Sequence, residues 1–99
     1  MEFFVYILYS DSAGKFYKGQ SNNVIERLRR HNNGLEISTK HDAPWQLVWL
    51  VSKATRSEAI ILETKLKNLG TKRLKKFMLK YPDGFPDEEA LKKIELLTN

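Results

Sequence analysis

Near its start the chain carries Phe3-Phe4-Val5-Tyr6-Ile7-Leu8-Tyr9, a run of apolar and aromatic residues with no polar interruption. A run this short, bounded by Ser10-Asp11 and rich in β-branched and aromatic residues, reads as a strand buried on both faces. Such a strand belongs in the middle of a sheet, so the chain has to supply a neighbour at each edge and a covering layer on each side. The run is far below the ~20 apolar residues of a membrane span. It begins with an acid, Glu2, and has no small-residue cleavage site, so it does not resemble a signal peptide. A cytoplasmic protein with no membrane partner is the expectation.

The edges follow from the sequence on either side. Asp11-Ser12-Ala13-Gly14 has turn chemistry, and Lys15 to Gly19 can return as a second strand in a hairpin. Trp45 to Val51 supplies a third strand. Strict alternation would put Trp45, Leu47, Trp49 and Val51 on one face and Gln46, Val48 and Leu50 on the other. The covering layers come from four helical segments. Asn23 with Glu26 resembles a capping box and opens a helix through Val24, Leu28 and His31, which ends at Asn33-Gly34. Residues 35–44 are polar, end in Pro44 and read as a loop. Thr55-Arg56-Ser57-Glu58 is a second capping box, opening a helix from Arg56 to Leu69 that Gly70 ends. Thr71 can cap a third helix, which Tyr81-Pro82-Asp83-Gly84 terminates. A last helix, over about 87–97, is expected to bury Leu91, Ile94 and Leu97. In a chain of 99 residues this order predicts one α+β domain over 1–99, with its core in about 3–80. Its sheet is small, three-stranded and mostly antiparallel, flanked by helices.

Composition narrows the chemistry. There is no cysteine, which excludes disulfides, thiolate metal sites and a cysteine nucleophile. Seventeen Lys and Arg against twelve Asp and Glu leave a formal charge of +5. That sign suits a polyanionic partner such as nucleic acid, and it equally suits a basic protein with no such partner.

Several residues stand out from the core pattern. Ala59, Leu62, Leu66 and Leu69 lay out the apolar side of the second helix, and Glu63 falls on that side or at its edge. A carboxylate there needs a cation, either a bound metal or Lys67 four residues on. Arg27 and His31 share one helical face beside Val24 and Leu28. Arg suits bidentate recognition of phosphate, although a surface Arg is ordinary in a basic protein. His31 also lies near a helix C-terminus, where it can simply answer the dipole. Tyr6 and Tyr17 sit inside strands, where tyrosines are commonly core residues with a bonded hydroxyl. Lys72, Lys75 and Lys76 belong to a basic amphipathic helix that can track a phosphate backbone or face solvent. In a strand Lys18 points opposite to Tyr17.

Taken together these residues resemble the GIY-YIG nuclease family, in particular its small single-domain members. Phe4-Val5-Tyr6 matches the first motif through its tyrosine, and Tyr17-Lys18-Gly19 matches the second through tyrosine and glycine. Ser21-Asn22, then Arg27-Leu28, His31-Asn32 and Gly34 follow the family pattern of second strand and first helix. Pro44-Trp45-x-Leu47-Val48 matches the third strand, and Arg56-Ser57-Glu58-Ala59 with Glu63 and Lys67 matches the metal-binding helix. Lys18 stands where an apolar residue is usual, Gln20 and Ser21 replace a Thr-containing turn, and the family's downstream asparagine has no placed counterpart.

The resemblance implies a metal-dependent endonuclease that hydrolyses DNA phosphodiesters with a single Mg2+ or Mn2+. Glu63 would be the metal's sole protein ligand, with waters completing its shell. Arg27 would clamp the scissile phosphate, and Tyr6 and Tyr17 would flank it, one helping to activate the attacking water. An unperturbed phenol has a pKa of ~10, so a tyrosine base needs cations nearby. His31 would act as base or orient the substrate. Lys18, Arg30, Lys67, Lys72, Lys75 and Lys76 are the expected nucleic-acid contacts. The alternatives are a nucleic-acid-binding module without catalysis and a protein-interaction domain on the same fold. A monomer or weak homodimer is expected, since cutting two strands with one site is easier as a dimer.

Overall fold

The computed structural model describes residues 2–98. Phe3–Ser10 forms β1, Lys15–Ser21 forms β2 and Gln46–Lys53 forms β3. The helices are α1 (Val24–Asn32), α2 (Arg56–Lys67), α3 (Thr71–Lys80) and α4 (Glu88–Thr98), with short 3₁₀ turns at Lys40–Asp42 and Pro82–Gly84. The sheet order is β2-β1-β3, and both pairings are antiparallel. The unbroken apolar run is therefore the central strand, and Val5 to Leu8 are all within 1% of complete burial. No helix among the described residues is long and apolar enough to cross a membrane.

The two faces of β1 feed two separate cores. Val5, Ile7 and Tyr9 join Val48 and Trp49 against Ala59 and Leu66 of α2, Leu74 and Met78 of α3, and Ala90 and Ile94 of α4. Tyr6 and Leu8 point the other way, with Phe4, Tyr17, Trp45, Leu47 and Leu50, toward Val24 and Leu28 of α1. Helices thus cover both faces, as a two-sided apolar strand requires.

β3 departs from strict alternation. Ile7 pairs with Trp49 and Leu8 with Leu47, so Val48 is an extra residue between consecutive rungs. This bulge reverses the parity of the strand. Trp45 and Leu47 face the α1 core while Trp49 and Val51 face the other one; the four do not share a face. Trp49 lies flat on Gly84, where an added Cβ would come within 2.2 Å of the indole. Its Nε1 donates to the Tyr81 carbonyl at 2.9 Å, locking the turn after α3 onto the sheet.

Helix ends follow local chemistry, with two corrections. Asn23 and Thr55 cap α1 and α2 by accepting from the amides of Glu26 (3.1 Å) and Glu58 (3.1 Å). The return half of the first box is replaced: the Asn23 amide donates to Ser21 Oγ at 2.9 Å, and the Glu26 carboxylate pairs with Arg29. α2 closes at Lys67 with Asn68 as its C-cap, ahead of Leu69. Gly70 then serves as N-cap of α3, so Thr71 is its first helical residue and not its cap. α4 is capped by Asp87 and buries Ala90 and Ile94, with Leu97 at the border of the core and Leu91 half-buried.

Candidate active site

The β1–β2 register sets Tyr6 opposite Gly19 and Leu8 opposite Tyr17. The phenol of Tyr6 lies across the bare backbone of Gly19. A Cβ there would sit 2.8 Å from the Tyr6 hydroxyl, 2.9 Å from Cζ and 3.0 Å from Tyr17 Cε2. Glycine two residues after Tyr17 therefore makes room for both rings. Tyr6 is 1% exposed, whereas Tyr17 is half-buried. Both tyrosines stand at one place in the sheet, but only Tyr17 reaches the surface.

α1 turns His31 toward these rings. The Tyr6 hydroxyl lies 3.3 Å from His31 Nε2, and His31 Nδ1 lies 2.7 Å from Thr39 Oγ1. Thr39 Oγ1 in turn reaches the Glu36 carbonyl at 3.5 Å. If Thr39 donates there, it accepts from His31 Nδ1–H, and Nε2 accepts the Tyr6 proton; the ring is then neutral and every polar atom is used. Burial pushes the His31 pKa down; Glu36 opposes this, while Arg27 and Arg30 add to it. Burial likewise pushes the Tyr6 phenol far above its ordinary value; Tyr17, Glu36 and Glu63 reinforce this, and Arg27 opposes it. Tyr17 packs on the histidine with ring centroids 4.6 Å apart.

Thr39 is held by a loop that periodicity could not resolve. Asn32 bonds the backbone of Trp45 from both sides, donating to its carbonyl at 3.1 Å and accepting from its amide at 2.5 Å. Trp45 Nε1 donates to the Thr39 carbonyl at 2.9 Å. Asn32 and Trp45, two residues of the quoted motifs, thus pin the segment that positions His31.

The same loop supplies Glu36. Its Oε1 accepts from Arg27 Nη1 at 3.0 Å and from Arg30 Nε at 2.8 Å. The bond from Arg30, with the charges of both arginines, holds this carboxyl below the usual range. Arg27 is left oriented and still 42% exposed along its side chain. Glu36 and Thr39 are absent from the residues singled out by sequence. Glu36 had one signal, being the only carboxylate between Glu26 and Asp42 and so the one within reach of three nearby arginines.

Glu63 projects from α2, with its side chain 17% exposed and Oε2 3.4 Å from Lys67 Nζ. The cation expected from periodicity is present, and Glu63 is also close enough to contribute to the shift of Tyr6. Among the described residues no three His, Asp or Glu gather as a metal cage. A lone carboxylate beside an exposed lysine fits a hard, hydrated cation such as Mg2+, which keeps several waters, and does not fit a stripped ion such as Zn2+.

The expected nucleic-acid contacts are scattered. Arg30 is at the site, bonded to Glu36, and Lys67 lies beside Glu63. Lys18 pairs with Ile7 and so lies on the side of the sheet away from Tyr17. α3 packs Leu74 and Met78 into the core opposite α1. Lys72 and Lys76 are exposed there, while Lys75 Nζ donates to the Leu97 carbonyl at 2.7 Å and ties α3 to α4.

A three-stranded antiparallel sheet between α1 and three further helices, with a tyrosine–histidine–arginine cluster under α1, defines a small α+β domain of one recognisable class. The GIY-YIG catalytic domain model matches residues 2–77, and the chain belongs to that family. It is similar to a UPF0213 protein of Aeromonas salmonicida (strain A449), with 32% identity over 77 residues. That match takes in 77% of this chain and spans 56% of the relative's length, less than two thirds of it. It is also similar to a UPF0213 protein of Bacillus halodurans solved by solution NMR, at 29% identity and a TM-score of 0.53. That likeness covers 94% of this chain and 96% of the other.

Proposed function

We propose that this chain is a metal-dependent endonuclease that hydrolyses DNA phosphodiesters with one divalent cation, Mg2+ or Mn2+. The observation that carries this reading is Arg27, oriented by Glu36 and half-exposed, together with the surface-reaching Tyr17, which packs on His31 of a buried polar chain, Thr39–His31–Tyr6. A plain core gains nothing from burying three polar side chains in series, whereas a site that must hold its outer residues still does.

Glu63 would hold the cation, which when bound supplies Lewis-acid stabilisation of charge on the phosphate and the leaving oxygen. Arg27 binds the non-bridging oxygens and offsets the charge that grows on them as water oxygen bonds to phosphorus and the P–O bond to the leaving group breaks. Tyr17 orients that water through its phenol. Tyr6 and His31, each 1% exposed, act as positioning residues: they fix Tyr17 from beneath and do not touch the substrate. Lys67 is 56% exposed and can swing away from Glu63 as the cation arrives.

The test is cleavage of single-stranded, duplex and branched DNA with Mg2+ or Mn2+. Arg27→Ala and Glu63→Gln are each expected to abolish cutting while the melting temperature stays near that of the parent. A parent chain that cuts none of these substrates with either ion would overturn the proposal. The Glu63–Lys67 ion pair favours a second reading, a DNA-binding module without turnover, in which the carboxylate is structural. Under that reading Lys67→Ala and Glu63→Gln shift stability alike and the parent chain binds no Mn2+.

A further inference from the structure

Beyond Arg27 the surface opens into a cleft of about 350 Å3 between the start of α1 and the start of α2. Arg27 of α1 and Arg56, the first residue of α2, both line it. Gln20, Ser21 and Asn22 add polar groups to the lining, and the ring of Phe3 lies beneath Arg56, whose guanidinium carbon is 5.6 Å from the ring centroid. One carboxylate, Glu26, also borders the cleft; Arg29 takes both of its oxygens at 2.9 and 2.6 Å, so its charge is met on the helix surface.

Two guanidinium groups from different helices bordering one polar cleft match an anion with oxygens on two sides. We infer that this cleft binds the phosphodiester next to the scissile one, with Arg56 as its clamp. The inference rests on the reading of Arg27 as the scissile-phosphate contact. A chain of linked phosphates leaving Arg27 needs a second cation along its path, and Arg56 lines the same cleft. The lysines of α3 are not among the residues that line this cleft. Phe3 stacked under Arg56 limits the rotamers of a long side chain, which lowers the entropy lost when the phosphate is gripped.

The experiment is fluorescence anisotropy of a labelled short DNA duplex with the full chain carrying Glu63→Gln, so that no cutting intervenes. Arg56→Gln in this background is expected to weaken binding about tenfold and to lower the slope of log affinity against log salt by about one. Arg56→Lys is expected to keep the slope and lose only part of the affinity, since the charge survives and the fork does not. Lys92→Gln on α4 removes one exposed charge elsewhere and is expected to leave both quantities unchanged. Thermal melts of each variant separate lost binding from lost packing on Phe3. If Arg27→Gln weakens binding and Arg56→Gln matches Lys92→Gln, the cleft assignment is wrong and the site reading stands. If neither arginine matters, both fall.

Discussion

Gly19→Ala is the sharpest single perturbation of this site, because the new methyl has nowhere to go. It would meet the Tyr6 hydroxyl at 2.8 Å and two ring carbons at 2.9 and 3.0 Å, against ordinary carbon contacts of about 3.5–4.0 Å. Relief requires the Tyr6 ring to retreat by roughly 0.5–1 Å, and Tyr6 is enclosed on every side. Overpacking of this kind costs about 1–3 kcal/mol. The 3.3 Å contact with His31 is already long, and losing it would leave two buried polar atoms unpaired at a further cost of about 1–3 kcal/mol. A total of about 2–6 kcal/mol corresponds to a fall in melting temperature of at least about 8 °C for a domain this size. Gly70→Ala is the steric control: nothing lies within 4 Å of its Cβ, so its cost is limited to that of a poorer N-cap on α3, about 1 kcal/mol. Tyr6→Phe deletes the nearest of the clashing atoms, so combining it with Gly19→Ala should cost less than the two changes added separately, by about 0.5 kcal/mol or more. Thermal melts of the four proteins decide the matter. A Gly19→Ala melt within about 2 °C of the parent, or strict additivity with Tyr6→Phe, would refute the packing of Tyr6 on Gly19.

Further outcomes follow from the buried chain and the caps. Thr39→Val keeps the shape but strands His31 Nδ1, and should cost about 1–3 kcal/mol in urea unfolding, with Thr39→Ser recovering most of it. The depressed His31 pKa means that the unfolded chain takes up a proton more readily than the folded one. That contribution to stability is therefore fully present above about pH 6.5 and is lost as pH falls toward the folded value. Urea midpoints should drop between pH 7.5 and 5.5 in the parent and stay flatter in His31→Gln; equal slopes would contradict the assignment. Glu26 and Glu36, whose carboxyls are held low by arginines, lose their contribution only below about pH 4.5, a separate window. Thr55→Ala removes the cap of α2 and should cost about 1 kcal/mol by thermal melt with no change in DNA affinity.

What could be read in the sequence was whatever depends on periodicity and local chemistry. The two-sided burial of Phe3 to Tyr9 gave the central strand, and capping residues gave the starts of α1 and α2. The side-chain spacing of Arg27 and His31 gave their shared helical face. Three things were hidden for physical reasons. The bulge at Val48 leaves no mark in a strand whose every position from 47 to 51 is apolar. Glu36 and Thr39 lie in a segment without period, and their roles depend on how Asn32 and Trp45 fold it back, which is a tertiary fact. The separate exposures of Tyr6 and Tyr17 depend on which strand lies at the edge. Lys75 stands in a basic run that suggested a backbone contact, and its ammonium donates to a carbonyl of α4.

The bulge in β3 has a consequence for how this chain can change length. One extra residue lets a single strand serve two cores in succession, so the count between Leu47 and Trp49 is fixed by both at once. Deleting Val48 would restore a regular ladder and turn either Trp45 and Leu47 or Trp49 and Val51 to the wrong side. An insertion there would do the same. The Asp11–Gly14 turn carries no such double accounting, and residues can be added to it at little cost. Among distant relatives, alignment gaps should therefore collect at that hairpin tip and be missing from the eight residues of β3, marking the strand as the ruler against which the rest of the domain is spaced.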